Sequence, residues 1–263
     1  MRVLTAVRPG PALGLVAQLV LLALLGVGPA GWFAALAWAA VVATSLDRGL
    51  ARAGRRRLGP ADRVTLTRAV LVGGVAALIA DSFTSDLRVV ETVALCVAAL
   101  VLDAVDGFVA RTTDTVSRLG ARFDMEVDAF LILVLSIAVA RGVGAWVLLI
   151  GAARYLLWLA ERAVPWLRIA VPPRYWRKAV AAIQGITLTV AVAAVLPAAL
   201  MAGLLAVALL LLAESFGQVA WLQWRAHRGL PAHAGHPWVG WAVSDAAFAL
   251  LWFALVAPTA WTS

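Results

Sequence analysis

The sequence predicts an all-α protein, a polytopic membrane helix bundle of about nine spans. Hydrophobic residues make up 63% of its 263 residues and charged residues only 14%, whereas soluble domains are about 45–50% apolar. The apolar residues form long runs, and a helix of about 20 such residues crosses the hydrocarbon core of a bilayer. The charged residues fall mainly between the runs. Composition and patterning together exclude an ordinary soluble domain.

The apolar runs define the candidate spans. They cover residues 11–27, 32–46, 64–80, 89–109, 120–140, 143–161, 178–196, 198–221 and 238–256. The first two runs are separated only by a segment around residues 26–31 that is rich in glycine and contains proline, so we expect a tight helical hairpin there. The predicted organisation is an N-terminal transmembrane hairpin at 1–47, a basic cytoplasmic linker at 48–63, a core at 64–224, and a loop with a C-terminal transmembrane helix at 225–263.

The basic residues predict the orientation of the chain. The net charge is +8, and the cytoplasmic loops of membrane proteins are enriched in lysine and arginine. With the N-terminus inside, most arginines become cytoplasmic, whereas Arg88 and Arg141 face outward. We therefore expect Ser117 inside and Ser85 outside. Because topology accounts for the positive charge, we expect no nucleic-acid partner.

Four aspartates flank one break between the runs. Asp103 and Asp106 end one run, and Asp124 and Asp128 open the next. Spacings of three and four put each pair on one face of its helix, and a short connection makes the two helices antiparallel. The carboxylates should therefore meet near one membrane surface, where such a cluster needs a cationic partner. Three arginines can supply part of that charge: Arg111, Arg118 and Arg122. All-oxygen ligation without histidine or cysteine favours Mg²⁺ or Mn²⁺.

This stretch resembles the signature of the CDP-alcohol phosphotransferase (CDP-alcohol phosphatidyltransferase) family. The family pattern is D-x2-D-G-x2-A-R-x8-G-x3-D-x3-D, and every fixed position and gap is present. The matching residues are Asp103, Asp106, Gly107, Ala110, Arg111, Gly120, Asp124 and Asp128. The resemblance implies a six-helix family core, extended here by the N-terminal hairpin and the C-terminal helix. It also implies an integral protein, which we place in a bacterial inner (plasma) membrane with its active site at the cytoplasmic face.

The resemblance further implies an enzyme of phospholipid biosynthesis. Such an enzyme transfers a phosphatidyl group, a substituted phosphate, from a CDP-linked lipid such as CDP-diacylglycerol to an alcohol or phosphorylated alcohol and releases CMP. The implied ligands of Mg²⁺ or Mn²⁺ are Asp103, Asp106, Asp124 and Asp128. The implied nucleotide-binding residues are Asp103, Gly107, Arg111 and Gly120. Asp128 is also the implied catalytic base, and the sequence does not name the acceptor.

Three weaker resemblances lie outside the signature. Asp62, Thr65 and Arg68 occupy the region of a family N-x-L-T-x-x-R pattern, with aspartate in place of the usual asparagine. Arg154 corresponds to a basic residue that lines the acceptor pocket, and its alternative role is to reach the membrane interface. Lys178 begins a K-x-x-T-x-x-Q pattern that lacks its threonine. It would either bind the acceptor or anchor the topology.

Residues on the helix surfaces predict the remaining partners. The twelve tryptophans, Trp38 among them, fall largely near the ends of the runs, as in the aromatic belts that contact membrane lipids. The small residues of the third run permit close approach of helices, and together with the family resemblance they predict a homodimer. These small residues are Gly73, Gly74, Ala76 and Ala77.

Two other functions remain open at this point. A cation transporter would also carry carboxylates in its spans, but it would favour charges near the membrane midplane and repeated halves, and the sequence shows no internal repeat. A catalytically silent structural homologue should have lost signature residues, and none is lost. The transferase is therefore the favoured interpretation.

Overall fold

The computed structural model describes residues 9–55, 58–112, 118–169 and 175–230. Its eight α-helices are α1 Pro9–Leu25, α2 Pro29–Arg52, α3 Pro60–Asp81, α4 Val89–Thr112, α5 Arg118–Val143, α6 Leu148–Ala163, α7 Tyr175–Ala193 and α8 Ala198–His227. Two short 3₁₀ helices, Ala145–Val147 and Pro165–Arg168, precede α6 and α7. No strand occurs in these ranges, so the all-α prediction is confirmed for them.

The helices support an integral membrane protein. Three of them, α2, α3 and α8, are long and apolar enough to cross a membrane, and α1 is apolar but shorter. Leu24 is 80% exposed and Phe33 78% exposed, which fits contact with lipid better than contact with water. The first eight predicted runs each coincide with one helix. The ninth, at 238–256, lies outside the described residues, so the count of nine spans stays a prediction.

The chain divides into two compact units. One comprises Met1–Gly151 with Gln184–Ala198, and the other Ala152–Ile183 with Ala199–Ser263. In the first unit α3 is the central helix, because it packs against α1, α2, α4 and α5 and is buried without interruption from Val72 to Ile79. In the second unit, Val180 and Ile183 of α7 pack on Leu211 of α8.

Helices α1 and α2 form a hairpin that packs on α3. Gly26 follows α1 with φ 58°, a left-handed conformation that glycine adopts without strain. Pro29 then opens α2 in its favoured first position. The carboxylate of Asp81, the last residue of α3, accepts hydrogen bonds from the backbone N–H groups of Gly28 and Gly31, the latter at 2.7 Å. Because these donors have no partner within α2, Asp81 caps this helix from α3.

We expect Asp81→Ala to lower the free energy of unfolding by about 1–2 kcal/mol, the usual contribution of a side-chain cap. The cause is the loss of both acceptors at the start of α2. The measurement is the unfolding midpoint in mild detergent. The matched control is Asp86→Ala, which removes an exposed carboxylate from the next connection. Equal midpoints for the two variants would contradict the capping role.

The small residues of α3 pack within a single chain. A Cβ atom on Gly73 would lie 2.2 Å from Oε1 of Gln18, and one on Gly74 would lie 2.9 Å from Cδ2 of Leu21. Both neighbours belong to α1, and the alanines that follow are also buried. This surface is therefore occupied by the hairpin, and it does not support the homodimer prediction.

Candidate active site

Three of the four predicted carboxylates come together in the first unit. Asp103 lies on α4 and Asp124 and Asp128 lie on α5. Each offers a carboxylate oxygen, and these oxygens lie within 4.8 Å of one another. The prediction that the aspartates of two successive helices converge is confirmed for these three. They lie beyond the terminal turns of their helices, so the helix dipole, which acts within the terminal turn, contributes little to their stability.

The cation at the centre of the cluster is Arg68 of α3. Its Nη1 lies 2.9 Å from Oδ1 of Asp103, and the guanidinium also donates hydrogen bonds to Asp124 and Asp128. The side chain of Arg68 is only 2% exposed, whereas those of Asp103, Asp124 and Asp128 are 42%, 31% and 32% exposed. The arginine thus lies behind the carboxylates, and the carboxylates remain open to a ligand. Like charges this close would repel one another without such a partner.

The sequence predicts other arginines, Arg111, Arg118 and Arg122, as the source of the neutralising charge. Arg122 is exposed, and the side chains of Arg111 and Arg118 are outside the described part of the structure. Arg68 belongs to a weak sequence pattern, but its place in an apolar run is the signal that could have identified it, because a charged residue there needs a partner nearby. That pattern also contains Asp62, whose carboxylate accepts a 2.9 Å hydrogen bond from the backbone N–H of Gly59 and so caps α3.

The other predicted site residues are placed only in part. Gly107 and Arg111 lie on α4, as does Asp106, but the side chains from residue 106 to 112 are outside the description. Gly120 lies in the first turn of α5. Arg154 on α6 and Lys178 on α7 belong to the second unit, where Lys178 is exposed and Arg154 is partly buried. The roles predicted for all of these residues stay predictions.

The donor set fits a hard divalent cation. All three side chains offer carboxylate oxygens, which are the ligands that Mg²⁺ and Mn²⁺ prefer. The oxygens lie close together and already contact a buried, positively charged guanidinium group, so the site is arranged to stabilise positive charge. Asp103, Asp124 and Asp128 are therefore the residues that can hold the metal.

Comparison with known proteins supports the site. A sequence model of the family described as CDP-alcohol phosphatidyltransferase matches residues 59–260. This range contains all three clustered carboxylates and Arg68, and it excludes α1 and α2. No curated protein and no solved structure gives a significant match. Members of the family are transferases of substituted phosphate groups that generally depend on a divalent metal. Because the match covers most of the chain and the signature carboxylates meet in space, the protein belongs to the CDP-alcohol phosphatidyltransferase family.

Proposed function

We propose that the protein transfers a phosphatidyl group from a CDP-linked lipid such as CDP-diacylglycerol to an alcohol or phosphorylated alcohol in phospholipid biosynthesis. The observation that carries the proposal is the convergence of the signature residues Asp103, Asp124 and Asp128 within 4.8 Å. Their partly exposed carboxylates lie in a protein with apolar membrane helices. A carboxylate site near one membrane surface would accept both a water-soluble nucleotide and the acyl chains of a lipid.

The carboxylates would bind Mg²⁺ or Mn²⁺, with Asp106 as a further ligand by resemblance. Held by these carboxylates, a divalent cation would supply charge neutralisation for the donor pyrophosphate and would polarise its phosphorus. The chain's own contribution is to hold three carboxylates at one point, and Arg68 stabilises that arrangement through its contacts with all of them.

Asp128 is proposed as the general base. Its carboxylate takes the proton of the acceptor hydroxyl, and the hydroxyl oxygen bonds to the phosphorus of the phosphatidyl group. The bond from that phosphorus to the oxygen of the CMP phosphate then breaks, and CMP leaves with the bonding electrons. The side chain of Asp128 is 32% exposed, so an acceptor hydroxyl can reach it.

The remaining binding roles follow from the resemblance. Gly107 would let the nucleotide approach the backbone closely, and Arg111 would donate paired hydrogen bonds to phosphate. Gly120 would border the nucleotide. Arg154 and Lys178 are the proposed acceptor-binding residues, and both carry the positive charge that a phosphorylated acceptor would need.

The test is product formation by the purified protein. Radiolabelled CDP-diacylglycerol is incubated with Mg²⁺ or Mn²⁺ and a panel of alcohols and phosphorylated alcohols, and the lipid product and CMP are identified. We expect one acceptor class to give a labelled lipid, and none to do so with chelator or with Asp103→Ala. No CMP release with any acceptor would favour the silent structural homologue, and metal flux into vesicles without CMP release would favour the transporter.

We propose that the active site faces the cytoplasm of a bacterial inner membrane. The supporting observation is that the two arginines expected outside lie away from the cluster. Arg141 donates hydrogen bonds of 2.8 and 2.9 Å to the carbonyl and hydroxyl oxygens of Ser82, and Arg88 donates one to the carbonyl of Leu25. The two acceptor residues lie at the C-terminal ends of α1 and α3, whereas Arg68 lies in the first half of α3.

A labelling experiment checks this orientation. In a Cys96→Ala background, a cysteine at Ser85 should react with an impermeant thiol reagent in intact cells, and one at Ser117 only after lysis. Cys96 is buried, so its removal serves only to lower the background of thiol labelling at the native cysteine. The opposite labelling pattern would place the active site outside.

The expectation of a homodimer is kept only on the family resemblance. Light scattering of the detergent-solubilised protein measures its mass. A monomeric mass with full activity would remove the dimer from the proposal.

A further inference from the structure

Trp38 of α2 connects the N-terminal hairpin to two helices of the candidate active site. Its indole Nε1 donates a 2.8 Å hydrogen bond to the carbonyl oxygen of Ala69 on α3. Its ring stacks on Phe130 of α5, with the centroids 3.9 Å apart and the planes at 5°. The tryptophan is buried, at 7% exposure. Trp38 is therefore an exception to the interfacial aromatic belt that the sequence predicts for the tryptophans.

Both contacts of Trp38 lie next to the cluster. Ala69 directly follows Arg68, the guanidinium of which contacts three carboxylates. Phe130 is two residues after Asp128 on α5. Trp38 thus holds α3 and α5 together at the level where the arginine of one helix meets the carboxylates of the other. A stacked aromatic pair is sensitive to small shifts, because its attraction depends on ring geometry.

The hydrogen bond adds direction to this packing. A helical carbonyl has a second lone pair besides the one used in the helix. The indole N–H of Trp38 can bond to it only when α2 has one particular position along the axis of α3. In membranes, such bonds between helices fix how neighbouring helices are aligned. The family match begins at residue 59, so this contact comes from a part of the chain that the family model does not include.

We propose that Trp38 is a positioning residue for the metal site: through Ala69 and Phe130 it fixes where α5 lies against α3, and so keeps the carboxylates of Asp124 and Asp128 in register with that of Asp103 on α4, which also packs on α3. The proposal rests on the proposed function, because it takes these carboxylates as metal ligands. It gives the hairpin a role in the activity of the core. Residues that orient metal ligands typically change metal affinity or activity by about 10–100-fold when replaced.

The test compares the same substitution at two tryptophans of α2. Trp38→Leu removes the stack and the hydrogen bond, whereas Trp32→Leu removes apolar packing near the turn of the hairpin, where Trp32 contacts the hydrophobic cluster that includes Ala35 and Leu78. Each full-length variant in detergent is titrated with Mn²⁺, and free Mn²⁺ is followed by electron paramagnetic resonance. Unfolding midpoints are measured in parallel.

We expect Trp38→Leu to weaken Mn²⁺ binding by about tenfold or more and Trp32→Leu to leave it unchanged at a similar loss of stability. Trp38→Phe keeps a ring for stacking and should lie between the wild type and Trp38→Leu. If Trp38→Leu does not fold, Trp38→Phe provides the test of Mn²⁺ affinity in its place. Phe130→Leu removes the same stack from the opposite side and should reproduce most of the effect.

Equal Mn²⁺ affinities for the Trp38 and Trp32 variants would overturn the positioning role. So would a loss of affinity that simply follows the loss of stability in all variants. The two proposals can fail separately. A wild-type protein that binds Mn²⁺ but releases no CMP would remove the proposed function, whereas unchanged affinity in Trp38→Leu beside an active wild type would remove the role of Trp38.

Discussion

Asp128→Asn should lower turnover by about 10²–10⁴-fold, the usual contribution of a general base, while binding of the CDP-linked donor largely survives. Asparagine keeps the size of the side chain and one ligand oxygen, but it cannot accept the proton of the acceptor hydroxyl. The contact with Arg68 can persist through the amide oxygen, so the cluster should stay assembled. CMP release and donor binding are measured separately, with metal in excess so that a weakened metal site does not imitate a chemical defect.

Asp103→Ala is the matched comparison for Asp128→Asn. Asp103 contacts the same guanidinium but has no proposed role as a base, so its loss should abolish metal-dependent donor binding together with turnover. A loss of donor binding in Asp128→Asn as severe as in Asp103→Ala would make Asp128 an essential ligand instead. Near-normal turnover in Asp128→Asn would exclude it as the base and leave that role to the acceptor's own phosphate or to water.

Local spacing was enough to predict the helices and the faces that bear the carboxylates. The break at Gly26 to Pro29 marked the hairpin because both residues have strong backbone preferences that act locally. Asp124 and Asp128 are four residues apart, so they share one face of a helix whatever its exact boundaries are. These features depend on a few neighbouring residues, so the sequence shows them directly.

The contacts of Arg68 and Trp38 could not be predicted in the same way. Arg68 meets carboxylates on α4 and α5, and Trp38 meets α3 and α5. These pairings depend on how far each helix is rotated and shifted against its neighbours, and an apolar run is equally compatible with many such arrangements. The sequence offered one hint, since an ionisable residue within an apolar run needs a partner. The sequence does not identify the partner of Arg68.

The second large effect is expected for Arg68→Met, which should destabilise the metal-free protein and tighten its binding of Mn²⁺. Without the guanidinium, three carboxylates face one another with no cation. Removing one partner of a buried ion pair costs about 3–5 kcal/mol, and because the carboxylates are about a third exposed we expect a smaller loss of about 1–3 kcal/mol. The unfolding midpoint in chelator measures this loss.

Mn²⁺ should restore most of the stability of Arg68→Met, because the metal replaces the missing positive charge. In the wild type, a metal ion and Arg68 are attracted to the same carboxylate oxygens. The variant lacks this competition, so its affinity for Mn²⁺ should rise by about tenfold, which corresponds to about 1.4 kcal/mol. Titration with Mn²⁺, followed by paramagnetic resonance and by the unfolding midpoint, measures both quantities.

Arg63→Met is the control, because Arg63 is an exposed arginine on the same helix and should change neither quantity. Arg68→Lys keeps one positive charge but loses the forked geometry that reaches several carboxylates at once, so its affinity for Mn²⁺ should lie between those of the wild type and Arg68→Met. If Arg68→Met instead lost its affinity for Mn²⁺ while remaining folded, the guanidinium would be required to hold the ligands in place. The arginine and the metal would then act together at the site and would not compete for its carboxylates.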